Sequence, residues 1–87
     1  MSHLIIRIYG RVQGIGFRFA AHEQAKEIGV TCNAQNEPDG SVKIEAEGDR
    51  KKLEKFLMWC KKGPLLAKVE RVEPVWSDIA DKSEKMK

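Results

Sequence analysis

The sequence predicts a single α+β domain in which the elements follow the order β-α-β-β-α-β. Two observations lead to this prediction. Two segments have apolar residues at helical spacing, and four have the β-branched composition or the alternation typical of strands. This order is the ferredoxin-like split βαβ arrangement, an antiparallel sheet with two helices on one face. Many unrelated functions use this fold, so function has to be argued from particular residues.

The first strand and the first helix are predicted at the amino-terminal end. Residues 4–9, LIIRIY, are β-branched and aromatic and stop at Gly10, so they predict a strand. Residues 18–28 predict a helix, because apolar side chains recur there every three or four positions. Gly29 follows as the expected end of that helix.

A β-hairpin is predicted next. Residues 30–35 alternate weakly between apolar and polar side chains, and residues 41–47 alternate clearly. Between them, residues 36–40 read NEPDG, in which proline fixes φ and Asp-Gly accommodates a tight bend. The two segments are therefore expected to pair as antiparallel strands.

The second helix and the last strand complete the predicted domain. The helix is expected to begin after Asp49 as its N-cap and to end at Gly63, which is followed by proline. Residues 67–76 predict the last strand, in which two valines three positions apart indicate a bulge. We assign residues 1–76 to one domain and expect residues 77–87, which are polar, to form a disordered tail.

Composition limits the classes of function. Sixteen basic and thirteen acidic residues give a net charge of +3, which slightly favours small anions but falls short of the basic stripe of a nucleic-acid binder. No apolar run approaches the ~20 residues of a transmembrane helix, and the amino terminus lacks the shape of a signal peptide. We expect a cytoplasmic protein that binds neither nucleic acid nor membrane. Cys32 and Cys60 are too few for a disulfide framework, so both are expected to be reduced thiols.

The segment between the first strand and the first helix carries the functional signal. Gly10, Gly14 and Gly16 lie within it, and glycines let backbone amides turn toward a ligand. The following helix adds the positive end of its dipole, and Arg18 adds a planar guanidinium that can hold two phosphate oxygens. These features predict a phosphate site, although a glycine-rich turn alone is also compatible with a simple strand-to-helix connection.

Known nucleotide motifs do not fit this segment. A P-loop requires GxxxxGK[ST], and the dinucleotide fingerprint requires a third glycine where Phe19 stands.

Residues 10–18, GRVQGIGFR, resemble the signature GxVQGVGFR of the acylphosphatase family. The resemblance covers residues 4–76. Further agreement lies at Asn36, Asp39–Val42, Glu47–Gly48, Phe56–Trp59, Gly63–Pro64 and Ala67–Val72.

The resemblance implies an activity and a set of site residues. The family hydrolyses acyl phosphates without metal or cofactor. Arg18 and backbone amides of the loop would bind the phosphate, and Asn36 would orient the attacking water. The implied phosphate-binding loop consists of Gln13, Gly14, Ile15, Gly16, Phe17 and Arg18. The expected ligands are an acyl phosphate substrate and inorganic phosphate, as product and inhibitor.

These residue types suit the chemistry. An acyl phosphate has a good leaving group, so catalysis requires mainly positioning of water and stabilisation of charge on the phosphoryl oxygens. Arg18 and the loop amides can provide the charge stabilisation that a metal often provides. An amide such as Asn36 is too weak a base to take a proton but can hold a water molecule.

Several positions depart from the family pattern. Cys32 stands where glycine is usual, Asn33 where an aromatic residue is usual, and Gln35 where a basic residue is common. Ala21 lacks a hydroxyl that relatives often carry, and the final edge strand of the family is missing from residues 77–87. These departures leave the turnover rate open, but none replaces Arg18 or Asn36.

Three other functions are weighed against acylphosphatase activity. RNA-recognition domains share the element order, but they stack bases on aromatic residues of the central strands, and the third strand here has none. A domain that handles carbamoyl phosphate within a larger protein would retain the same site. A phosphate or acyl-phosphate sensor would bind without hydrolysis. We expect a monomeric acylphosphatase.

Overall fold

The computed structural model describes residues 1–77, and the predicted tail from residue 78 onward lies outside them. The chain forms the predicted order of elements. They are β1 (Ser2–Arg11), α1 (Phe17–Ile28), β2 (Thr31–Asn36), β3 (Val42–Gly48), α2 (Arg50–Lys62) and β4 (Lys68–Ser77). The strands form one antiparallel sheet in the order β2-β3-β1-β4.

One face of the sheet carries the core. The two central strands alternate, so that every second side chain is buried. The buried strand residues are Leu4, Ile6, Ile8, Val42, Ile44 and Ala46. The helices complete the core with Phe17, Ala21, Ala25, Leu53, Phe56, Leu57 and Cys60. Since each helix buries one stripe, both helices lie on this face, and the opposite face of the sheet is open.

The predicted bulge lies in β4. Tyr9 of β1 pairs with Arg71, but the next residue, Gly10, pairs with Val69. Glu70 is therefore left without a partner in β1, and the alternation of β4 shifts by one residue. As a result, Val69 and Val72 both pack against the core despite being three positions apart.

The ends of the elements differ slightly from the prediction. Gly29 ends α1 in the left-handed conformation, with φ 99°, as expected. Asp49 occupies the N-cap position of α2, but its side chain makes no capping hydrogen bond. Asn36 is the last residue of β2 rather than the first residue of the turn. Ser77 pairs with His3 and so belongs to β4, not to the tail as predicted.

The longest helix in the described part of the chain has 13 residues. No helix there is long and apolar enough to cross a bilayer.

Candidate active site

The connection from β1 to α1 depends on two glycines. Gly14 and Gly16 have φ values of 76° and 81°, in the left-handed region that L side chains rarely adopt. A Cβ at either position would meet no atom within 4 Å. Backbone conformation, and not lack of space, therefore favours glycine at both positions.

The amino-terminal end of α1 has no capping side chain. Its N-cap is Gly16, and its first turn contains no acidic residue. The N–H groups of Phe17, Arg18 and Phe19 have no partner within the helix, because the first turn of any α-helix leaves them free. Together with the helix dipole, these groups favour an anion at this end of α1.

A cleft of about 400 Å³ lies over this helix end. It is lined by Val12, Gly14, Gly16, Phe17, Arg18, Phe19, His22, Ala34 and Asn36. The cleft thus contains both residues for which the family resemblance implies catalytic roles, Arg18 from α1 and Asn36 from the end of β2.

Strand register explains why Asn36 faces the cleft. Asn36 pairs with Val42, and Ala34 pairs with Ile44. Both partners are buried beneath the helices, and paired residues in a sheet point to the same face. The side chain of Asn36 therefore lies on the helix side of the sheet.

Two residues of the predicted phosphate loop do not line the cleft. The side chain of Gln13 donates from Nε2 to the carbonyl oxygens of Glu37 and Ser41, each at 2.8 Å. Ile15 is half-buried and packs against the core. Their side chains thus serve the structure of the loop. The roles predicted for their backbone amides remain predictions.

The electrostatic character of the cleft is cationic. Arg18 is exposed, and no carboxylate among residues 1–77 lies within ion-pair distance of it. None of the described residues that line the cleft is Asp or Glu. In the same span of chain, no group of three or more His, Cys, Asp or Glu residues is placed to hold a metal ion. The donors on the cleft wall suit an anion.

The two cysteines are not activated as nucleophiles. Cys32 Sγ lies 3.7 Å from Nδ1 of His22 and 3.9 Å from the carbonyl oxygen of Ala21. Burial raises the pKa of the Cys32 thiol above its ordinary value, and it also raises the pKa of Cys60. Both side chains therefore stay protonated at neutral pH.

Two of the departures from the family pattern face away from the cleft. Asn33 pairs with Glu45 and Gln35 pairs with Lys43, so both side chains lie on the open face of the sheet. Cys32 lies on the helix side, beside His22.

Asp39 has a structural part in the hairpin turn. Its Oδ1 accepts hydrogen bonds from the hydroxyl of Ser41 at 2.6 Å and from the N–H of Ser41 at 2.9 Å. These hydrogen bonds lower the pKa of Asp39, and the bond from the Ser41 hydroxyl has the larger effect.

Phe19 belongs to the site although it is not among the site residues predicted above. The residue lines the cleft, and 73% of its surface is exposed. Its position offered a signal, because it is a large apolar residue outside the buried stripe of α1 and directly follows Arg18. His22 is exposed and also lines the cleft.

The chain matches the family model described as Acylphosphatase over residues 4–86. A protein named acylphosphatase from Thermus thermophilus is 46% identical over 80 residues, which cover 92% of this chain and 91% of that protein. The crystal structure of acylphosphatase from Bacillus subtilis is similar with a TM-score of 0.85 at 34% identity and covers 88% of this chain and 86% of its own.

A crystal structure of full-length HypF in its phosphate- and nucleotide-bound form is also similar, with a TM-score of 0.80 at 27% identity. It covers 88% of this chain, but only 10% of HypF is matched. The family match over nearly the whole chain, the related sequences and the fold agree. The chain belongs to the acylphosphatase family, of which acyl phosphate hydrolysis is the expected function.

Proposed function

We propose that the chain hydrolyses acyl phosphates to a carboxylate and inorganic phosphate in the cleft over α1, without a metal ion or other cofactor. The observation that carries the proposal is the convergence on one cleft of Arg18, Asn36 and the uncapped end of α1. The substrate class follows from the family to which the chain belongs.

Arg18 and the loop are proposed to hold the phosphoryl group. The guanidinium can donate two parallel hydrogen bonds to two phosphate oxygens. The free N–H groups at the start of α1 can donate to the same group. Because these donors are held by the helix and the glycine turn, little reorganisation is needed when charge builds up on the phosphoryl oxygens.

Asn36 is proposed to hold the attacking water. Its side-chain oxygen accepts and its side-chain nitrogen donates, so it can fix the orientation of one water molecule. The water oxygen forms a bond to phosphorus, and the bond from phosphorus to the acyl oxygen breaks with its electron pair leaving on the carboxylate. A phosphate oxygen of the substrate takes the proton, so the cleft needs no general base.

The donor set supports catalysis without metal. Mg²⁺ prefers oxygen ligands, with carboxylates foremost, and within the described part of the chain no Asp or Glu lines the cleft. Arg18 provides the positive charge that a metal ion would otherwise bring to the phosphoryl oxygens.

A second candidate is a domain that binds phosphate without hydrolysing an acyl phosphate. The similarity to one-tenth of HypF motivates this candidate, because that structure is of a phosphate- and nucleotide-bound form. Turnover separates the two candidates, because both bind phosphate and only the first releases it from an acyl phosphate.

The decisive experiment is hydrolysis of acetyl phosphate by purified protein in the presence of excess EDTA. We expect turnover that EDTA does not reduce and that inorganic phosphate inhibits competitively. Activity that EDTA abolishes and Mg²⁺ restores would contradict the metal-independent mechanism. Phosphate binding without any turnover would favour the second candidate.

The proposal retains the expectation of a monomeric, cytoplasmic protein that binds no nucleic acid. Among aromatic residues of the described strands, only Tyr9 lies on the open face of the sheet, and the guanidinium of Arg71 covers its ring at 4.1 Å. Glu45 and Glu73 lie on the same face. Such a surface is unsuited to stacking bases. Analytical ultracentrifugation, which measures the molecular mass in solution, tests the expectation of a monomer.

A further inference from the structure

Phe19 is an exposed aromatic residue on the wall of the cleft. Although 73% of its surface is exposed, it lies among the residues that line the cleft with Arg18. The buried stripe of α1 consists of Phe17, Ala21 and Ala25, so Phe19 contributes nothing comparable to the core. Removal of an exposed phenyl ring from water is favourable, and a ligand in the cleft would cover this ring.

The cleft is larger than a phosphate site requires. Its volume of about 400 Å³ lies within the range of roughly 300–1,000 Å³ typical of sites for small organic molecules. Val12 and Phe17 on its wall are buried, and Ala34 is small. Phe19 therefore presents the main exposed apolar surface to whatever fills the space beside the phosphate.

The shared cleft wall places this surface beside the proposed phosphate site. Arg18 and Phe19 both lie in the first turn of α1 and, although consecutive side chains of a helix point in different directions, both line the same cleft. In an acyl phosphate, only one bridging oxygen separates phosphorus from the acyl carbon. A phosphoryl group held by Arg18 thus brings the acyl group close to the ring of Phe19.

We infer that Phe19 forms the acyl-binding side of the cleft and that the preferred substrates are acyl phosphates with apolar, above all aromatic, acyl groups. This inference rests on the proposed function. An aromatic acyl group can pack against the ring of Phe19 in an offset or edge-to-face arrangement. A cationic acyl group finds no carboxylate partner among residues 1–77, since none of them that lines the cleft is Asp or Glu.

The test compares benzoyl phosphate with acetyl phosphate, in which a methyl group stands in place of the phenyl ring. kcat and KM are measured for both substrates with the parent protein, Phe19→Ala and Leu65→Ala. Leu65 is 98% exposed and does not line the cleft, so it is a matched control for loss of an exposed apolar side chain. Because Phe19 is exposed, Phe19→Ala is expected to fold normally, which circular dichroism checks.

We expect the benzoyl-to-acetyl ratio of kcat/KM to fall about three- to tenfold in Phe19→Ala, the size of an aromatic contact. The change should lie mainly in KM, since the contact is equally available in the ground state and the transition state. Leu65→Ala should keep the parent ratio. An unchanged ratio in Phe19→Ala, with both substrates hydrolysed, would overturn the inference alone. Failure of the parent to hydrolyse either substrate would overturn the proposed function and the inference with it.

Discussion

The side-chain amide of Gln13 donates a hydrogen bond of 2.8 Å to the carbonyl oxygen of Glu37, the residue that follows Asn36. The same nitrogen donates to the carbonyl oxygen of Ser41 on the other side of the hairpin turn. One side chain therefore fastens the phosphate loop to the hairpin that carries Asn36. The distance between the phosphate donors and the residue proposed to hold the water depends on this attachment.

Loss of the attachment should destabilise the protein. Gln13→Ala removes two hydrogen bonds, each worth about 0.5–1.5 kcal/mol of unfolding free energy, while the carbonyl oxygens of Glu37 and Ser41 keep their backbone partners. Gln13→Glu keeps the shape but places a carboxylate against two carbonyl oxygens, so it should destabilise at least as much at neutral pH. Equilibrium unfolding in urea measures both effects.

Gln35→Ala provides a matched control for the Gln13 variants. Gln35 Nε2 also donates a hydrogen bond to Glu37, but Gln35 is exposed and the acceptor is the side-chain oxygen Oε2 of Glu37, at 3.3 Å. Its loss should change stability by less than about 0.5 kcal/mol, as is usual for surface substitutions. Equal effects of Gln13→Ala and Gln35→Ala would show that Gln13 does not anchor the loop.

Arg18 is predicted to be the main phosphate ligand. Arg18→Ala should raise the inhibition constant of inorganic phosphate and lower kcat/KM by about 100-fold or more, as for removal of a donor that stabilises the transition state. Arg18→Lys should restore activity only in part, because an ammonium group cannot make the bidentate contact. Steady-state kinetics with phosphate as inhibitor provides both values.

Arg71→Ala controls for the loss of one positive charge in the Arg18 variants. Arg71 lies on the open face of the sheet, where it covers Tyr9. We expect near-parental kinetics from this variant. If Arg18→Ala still bound phosphate as well as Arg71→Ala does, Arg18 would not be the anchor.

The order of the elements could be predicted because the sequence is locally consistent. Clear alternation in β3 and helical spacing in α2 indicate these elements without tertiary information. The bulge in β4 was also predictable, since Val69 and Val72 can face the core together only if the alternation shifts between them. The exact ends of strands depend on pairing with distant residues. This is why the pairing of Ser77 with His3 was missed.

The site was predictable to the extent that it depends on local chemistry. Glycines before Arg18 indicate an anion site from the sequence itself, whereas the role of Asn36 followed from family resemblance. The placement of Asn36 on the same cleft depends on its register with Val42, a contact between separate strands. The double hydrogen bond of Gln13 is likewise a product of tertiary packing, and the sequence pattern does not indicate it. Phe19 could be expected to be exposed because it lies outside the buried stripe of α1, but its place on the cleft wall depends on tertiary packing.

Asp39 is predicted to make stability depend on acid pH. Hydrogen bonds from Ser41 lower its pKa in the folded state. Its contribution to stability is therefore present above the unfolded-state pKa of about 4 and is lost as pH falls through the lower, folded-state pKa. Asp39→Asn should lower the free energy of unfolding at pH 7, and the difference from the parent should shrink in acid.

Ser41→Ala tests the cause of this pH dependence. The Ser41 hydroxyl has the largest part in lowering the pKa of Asp39. In a double-mutant cycle, the effect of Asp39→Asn should therefore be smaller in the Ser41→Ala background. Urea unfolding of the parent, both single variants and the double variant, at pH 7 and at about pH 3, measures this difference. An Asp39→Asn effect that is independent of both pH and Ser41 would rule out this source of acid sensitivity.

Mutation of Asn36 should separate phosphate binding from water positioning, the two tasks proposed for the residues of the cleft. Asn36→Ala should keep the affinity for phosphate within a few-fold, because Arg18 and the helix end remain. Its kcat and kcat/KM should fall together, the pattern of an interaction made only in the transition state. Asn36→Asp should weaken phosphate binding as well, since it adds a negative charge beside an anionic substrate.

The matched control for Asn36 is Asn33→Ala. Asn33 is an exposed asparagine of the same strand, but its side chain lies on the opposite face of the sheet and does not line the cleft. Calorimetric titration with phosphate and steady-state kinetics on acetyl phosphate are compared for all three variants, with circular dichroism to verify folding. Asn33→Ala should bind and turn over like the parent. If Asn36→Ala did so too, the attacking water would have to be held by another group of the cleft. His22 would then be the first to test, because it is exposed on the same wall one helical turn after Arg18.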